Sequence, residues 1–123
     1  MSSETLTTGR ATCFDLGPLE RIPLGEGRTF RVGDRDVAVF RTRTGLFATA
    51  AACPHRAGRL ADGLAGDGTV ICPLHGFKFA LATGFPIGND CAALTTYRTV
   101  LTPANCVELW IEDGAGASWS SGP

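Results

Sequence analysis

Cys53-Pro54-His55 and, after sixteen intervening residues, Cys72-Pro73-Leu74-His75 form the stretch whose reading decides this fold. It holds both histidines of the 123-residue chain and two of its five cysteines. Thiolate sulfur and imidazole nitrogen are good transition-metal donors, and each short pair can turn back to present both donors to one centre. Cys53, His55, Cys72 and His75 are therefore the candidate metal ligands. With both histidines so used, no Ser/His/Asp set remains, and no glycine loop follows a strand to cradle phosphate. No catalytic residue is nominated.

Two chemistries compete for these donors. Zinc accepts two cysteines and two histidines, but finger-type spacings pair Cys with Cys and His with His, whereas each motif here supplies one of each. A [2Fe–2S] centre with two thiolates on one iron and two imidazoles on the other takes one ligand of each kind from each loop. Pro54 and Pro73 stiffen the loops, while Gly58, Gly76 and Gly84 permit positive φ or close backbone approach. Backbone N–H groups freed by such turns can point at sulfur.

Outward from this stretch the chain reads as strands and turns. Sixteen glycines and seven prolines separate short apolar segments, which predicts an all-β domain with little helix. Cys13 to Leu16 reads as a first strand and Ile22 to Leu24 as an edge cover. Arg28 to Val32, Asp36 to Arg41 and Leu46 to Ala51 make a meander turned at Gly33-Asp34 and Thr44-Gly45. Lys78 to Leu81 reads as a short strand and Phe85 to Cys91 as an irregular loop. Thr95 to Leu101 and Val107 to Glu112 form a hairpin around Pro103-Ala104-Asn105. The expected organisation is a flexible leader (1–11), one folded domain (12–113) with a cluster-binding part at about 52–84, and a flexible tail (114–123). Strands flanking the insertion must pair for the sheets to close, which predicts a small β-barrel or sandwich base.

Composition narrows the function classes. The chain is 44% hydrophobic and 19% charged with a net charge of -1, as in an ordinary globular protein, and it lacks the basic excess of a nucleic-acid binder. Met1 to Arg10 is polar and fails as a secretory signal. No segment approaches the roughly 20 apolar residues of a spanning helix, so no membrane insertion and a cytoplasmic location are expected. Cys13, Cys91 and Cys106 read as small buried hydrophobes, because a disulfide framework is out of place in a reducing compartment.

The motifs Cys53-Pro54-His55-Arg56-Ala57-Gly58, Leu60-Ala61-Asp62-Gly63, Val70-Ile71-Cys72-Pro73-Leu74-His75-Gly76-Phe77-Lys78-Phe79 and Thr83-Gly84 resemble the two cluster loops of Rieske ferredoxin domains. That resemblance extends more weakly over about Leu19 to Ile111. It implies the Rieske-type fold of small antiparallel sheets and one [2Fe–2S] cluster per chain. It implies Cys53 and Cys72 on the inner iron, with His55 and His75 on the outer iron near the surface. Respiratory-complex members carry an extra cysteine in each loop, where this chain has Gly58 and Leu74, so no loop disulfide is expected. They also place hydroxyl residues where this chain has Phe77 and Phe79. Fewer donors to the cluster imply a potential low in the Rieske range, whose lower end is about -150 mV. Arg56 and Arg59 put positive charge near the histidines, suited to an acidic partner.

Within the family, Val37-Ala38-Val39-Phe40-Arg41, His55-Arg56-Ala57-Gly58 followed by Leu60-Ala61-Asp62-Gly63, and Thr95-Thr96-Tyr97-Arg98 resemble the small subunit of assimilatory NAD(P)H-dependent nitrite reductases. This implies an electron-transfer subunit, without a catalytic site of its own, beside a large flavin- and sirohaem-containing subunit that reduces nitrite to ammonia. A ferredoxin of a ring-hydroxylating dioxygenase or other oxygenase system is the alternative. A structural or redox-sensing subunit is a third reading.

Overall fold

Short apolar runs bounded by glycine turns cannot build long helices, and they pair as strands instead. The computed structural model describes residues 5–8, 11–53, 58–66, 68–73 and 76–112. In chain order its strands are β1 (Thr5–Thr8), β2 (Ala11–Pro18), β3 (Gly27–Val32), β4 (Arg35–Thr42), β5 (Gly45–Ala50), β6 (Leu64–Gly66), β7 (Thr69–Ile71), β8 (Lys78–Ala80), β9 (Pro86–Ile87), β10 (Thr96–Leu101) and β11 (Cys106–Glu112). Single 3₁₀ turns occupy Leu19–Arg21 and Leu60–Asp62. The fold is all-β, built from curled antiparallel sheets.

Residues 1–19 and 97–123 make one unit and residues 20–96 another. In the first, β1, β2, β11 and β10 pair antiparallel in that order. Val107 faces Gly17 while Glu108 faces Asp15, so Leu16 is an extra residue in β2. Gly17 takes the left-handed conformation (φ +94°) and donates its N–H to Asp15 Oδ1 at 2.9 Å, which stabilises this bulge. The β10–β11 turn is carried by Asn105, the one non-glycine residue with positive φ (+67°) among the described residues.

In the second unit β3, β4 and β5 form the expected meander, with Gly33 (φ +64°) and Gly45 (φ +143°) at its turns. β4 is the middle strand, and Val37-Ala38-Val39-Phe40 is buried on both faces. The second sheet of this unit has the order β6-β7-β8-β9. Its register places Ala65, Val70, Phe79 and Pro86 in one row and Leu64, Ile71, Lys78 and Ile87 in the next. Ala65, Val70 and Phe79 face a shared core with Ala38, Phe40, Leu60, Leu81 and Leu94.

Several elements differ from the sequence reading. Ile22–Leu24, read as an edge cover, lies in no strand; Ile22 is buried, and its carbonyl accepts a hydrogen bond from Arg41 Nη1 at 3.2 Å. Within the segment read as a leader, Thr5–Thr8 pairs with Ala11–Phe14. Residues 1–4 and the tail 114–123 lie outside the described residues. β6, β7 and β9 were not anticipated, because each is only two or three residues long and gains its identity from its neighbours.

Candidate metal centre

The two cysteine loops are built alike. Ala52 pairs with Arg59 as a single antiparallel bridge, and between them the Cys53 N–H donates to the Gly58 carbonyl at 2.8 Å. Ile71 pairs with Lys78, and between them the Cys72 N–H donates to the Phe77 carbonyl at 2.7 Å. Each loop therefore runs from a cysteine to a closing carbonyl five residues later. Proline follows each cysteine in the sequence, where a residue without an N–H leaves no donor to satisfy. Gly76, at φ +70°, supplies the reversal of the second loop. Gly58 contributes its carbonyl, which closes the first.

Both cysteines are 1% exposed and belong to the apolar core of the second unit. The structure thus brings Cys53 and Cys72 to one core from two separate hairpins. His55 and His75, with Pro54, Arg56, Ala57 and Leu74, lie outside the described residues. Among the described residues no group of three or more His, Cys, Asp or Glu comes together, so the described part of the donor set is the two thiols. All five cysteines are free thiols in the structure.

Backbone packing holds the loops in place. The 3₁₀ turn Leu60–Asp62 is tied back by Leu60 N–H to the Ala51 carbonyl at 3.0 Å, and by Gly63 N–H to Leu60 O at 2.9 Å. Gly63 then lies against the Ile71 carbonyl and the Pro73 ring, where a Cβ would collide. Gly84 (φ +81°) lies equally close to the Leu94 carbonyl. Asn89, which the sequence reading passed over, links two further strands of backbone. Its Nδ2 donates to Lys78 O at 3.1 Å, and its Oδ1 accepts from Cys91 N at 2.9 Å. Its only signal is an Asn in a turn-rich Gly88-Asn89-Asp90 segment.

Half-buried Cys91 packs against the same core. Burial first, then the nearby Cys53 and Asp90, push its thiol above the ordinary 9.0. Exposed Arg59 pairs with Asp62 at 3.7 Å, and Arg31 with Asp36 at 3.1 Å. Both arginines border an open groove of about 650 Å³ floored by Ala50, Ala51 and Ala52. Each already has a carboxylate, so the groove has little unpaired charge. Phe79 is fully buried and Phe77 half-buried, so neither position offers a hydroxyl to the centre.

The chemistry of the donors fits an iron–sulfur group. Two thiolates in an apolar core are costly unless a cationic metal neutralises them. A β-sheet frame presenting one buried cysteine from each of two matched hairpins defines a small metal-binding redox domain. Residues 12–98 match the Rieske [2Fe-2S] domain, and the chain belongs to that family, whose cofactor is a [2Fe–2S] cluster. The chain is 36% identical over 101 residues to the anthranilate 1,2-dioxygenase ferredoxin subunit of Burkholderia cepacia, covering 82% of this chain and 90% of that protein. Its fold resembles a Mycobacterium tuberculosis protein described as an NADH-dependent nitrite reductase small subunit, with a TM-score of 0.76 and 20% identity over 82% of this chain and 96% of that one. It also resembles a chain in the complex of reduced oxygenase and oxidised ferredoxin of carbazole 1,9a-dioxygenase, with a TM-score of 0.73 and 25% identity over 82% of this chain and 94% of that one.

Proposed function

We propose that this chain is a one-electron carrier, a ferredoxin serving a ring-hydroxylating oxygenase, with Cys53, Cys72, His55 and His75 as ligands of its cluster. When bound, the [2Fe–2S] cluster takes up and releases a single electron. Cys53 and Cys72 anchor it from the buried side. His55 and His75, third and fourth in their sequence motifs, would complete its ligand set. The two hairpins stiffen the ligands, and the apolar core excludes water from the sulfur side.

The matched pair of buried cysteine loops carries the cluster assignment. The oxygenase assignment rests on sequence identity that spans nine-tenths of a dioxygenase ferredoxin. The nitrite reductase reading is supported by the sequence segments Val37–Arg41, His55–Gly58 with Leu60–Gly63, and Thr95–Arg98, while the structural likeness on that side, at 20% identity, speaks to the fold. Both readings share a larger redox partner and the absence of a catalytic site in this chain.

Reconstitution separates them. The reduced protein is offered to an aromatic-ring oxygenase component and, in parallel, to a large sirohaem subunit of nitrite reductase. Substrate-dependent reoxidation by the oxygenase supports the proposal, and reoxidation only by the sirohaem subunit with nitrite replaces it. Folded, cluster-free protein that supports full turnover in either system points to the structural role. The ligand set is tested by paramagnetic resonance of the reduced protein. His75→Ala and Cys72→Ala should each abolish the Rieske signal, and a zinc-loaded colourless protein would sink the assignment.

A further inference from the structure

The outward face of the four-stranded sheet is apolar where a solvated face is expected to be polar. Its rows run Leu64–Ile71–Lys78–Ile87 and, one step along, Gly66–Thr69–Ala80, with Ala80 N–H bonded to the Phe85 carbonyl. Leu64 is 74% exposed, Phe85 62% and Ile87 42%, and Ile71 is half-buried. The row from Leu64 to Ile87 crosses three strand spacings, about 14 Å. Scattered single apolar residues need no explanation, but here Leu64 and Ile87 stand on one short sheet with Phe85 immediately before its edge strand, and such a patch marks an interaction surface.

One charge stands among them. Lys78 is exposed in the middle of the row, and no acidic side chain pairs with it among the described residues. The row also adjoins the second cysteine loop directly, since Ile71 precedes Cys72 and Lys78 follows the closing Phe77. Whatever covers this face is therefore held close to that loop.

We infer that the face formed by Leu64, Ile71, Lys78, Phe85 and Ile87 docks the electron-exchanging partner protein, through an apolar surface carrying a carboxylate opposite Lys78. The inference rests on the electron-carrier reading above. A second copy of this chain is a poorer occupant. A twofold contact on the row opposes Lys78 either to Lys78, which is repulsive, or to Ile71, which buries the charge unpaired, and neither supplies a carboxylate. A partner with one Asp or Glu amid apolar residues satisfies both features at once. The apolar side chains then supply affinity and Lys78 supplies register.

The test uses the cluster-loaded full chain and the partner that accepts electrons in the reconstitution above. Lys78→Glu, and separately Leu64→Gln with Ile87→Gln, should each raise the KM for the reduced protein about tenfold and leave the Rieske spectrum in place, and the neutral Leu64→Gln/Ile87→Gln pair should also leave kcat and the potential unchanged. Wild-type KM should rise with salt, and the Lys78→Glu protein should lose that dependence. KM values within twofold of wild type, with spectra intact, would overturn the docking face while leaving the electron-carrier reading in place. Concentration-dependent dimerisation abolished by Leu64→Gln would overturn it in favour of a second copy. Loss of the Rieske spectrum in the wild-type protein, or electron acceptance by neither partner, defeats the electron-carrier reading and the docking face with it.

Discussion

Gly63 lies so close to the carbonyl oxygen of Ile71 that no side chain fits between the 3₁₀ turn and the strand leading into Cys72. The obstacle is backbone, with the Pro73 ring beside it, and neither can swing aside as the end of a flexible side chain would. Gly63→Ala must push the two cysteine loops apart. Overpacking of this kind typically costs about 1–3 kcal/mol. The expected outcome is a lower melting temperature together with fewer irons bound per chain, read by thermal denaturation and iron analysis. A variant with full iron content and unchanged melting would show that the loops are less tightly coupled than this contact requires.

Gly84 and Gly88 have nearly the same backbone conformation, φ +81° and +72°, in different surroundings. A Cβ on Gly84 meets the Leu94 carbonyl, whereas one on Gly88 meets nothing within 4 Å. Left-handed conformation alone costs a non-glycine residue roughly 1–2 kcal/mol, and asparagine less. Gly88→Ala should therefore lose about that amount and Gly88→Asn less. Gly84→Ala should lose clearly more than Gly88→Ala, and Gly84→Asn should not recover it. Denaturant midpoints of the four variants decide the point.

Where the information is local, the sequence was legible. Gly33-Asp34 and Thr44-Gly45 announce their turns, Val37 to Phe40 announces a buried central strand, and the spacing of Cys53 and Cys72 announces two matched loops. The second sheet was legible only in part. Leu64-Ala65-Gly66 has low strand propensity, and it is a strand because Ala65 lies beside Val70, which lies beside Phe79. Pro86 argues against a strand, yet β9 is an edge, where a missing N–H is tolerated. Gly63 was visible as part of a motif, but its reason is a contact with a carbonyl eight residues away. The exposed row from Leu64 to Ile87 depends on registers that no local pattern encodes.

Cys13 is buried in β2, and burial, followed by the Glu108 carboxylate and then Asp15, pushes its thiol above the ordinary 9.0. Between the unfolded and the folded value, the unfolded chain has released this proton and the native protein has not. Stability therefore falls as pH rises through that window, and this contribution is fully present below the unfolded value. Denaturation at a series of pH values from 7 upward should show the loss beginning near 9, and Cys13→Ala should flatten it. The same burial makes Cys13 slow toward iodoacetamide in the native protein at neutral pH. Rapid native-state labelling of Cys13, identified by peptide mapping, would contradict the environment described.

Gly27 and Phe40 are register partners in the β3–β4 ladder, and the Phe40 ring covers the space above Gly27. A Cβ on Gly27 would lie 2.6 Å from the ring edge, so Gly27→Ala alone must displace a fully buried aromatic. Phe40→Leu alone leaves the opposite fault, a gap in the core shared by Cys53 and Cys72. Each single variant should cost on the order of 1–3 kcal/mol, by overpacking in one case and by cavity formation in the other. The double variant brings the added methyl into the space the smaller side chain vacates. It should be more stable than the sum of the single effects, with a coupling of about 0.5–3 kcal/mol in a double-mutant cycle. Strict additivity would mean that the ring and the glycine do not compete for one volume. Since the same ring belongs to the core that holds both cysteines, iron content should follow the same order, lowest in the single variants and partly restored in the pair.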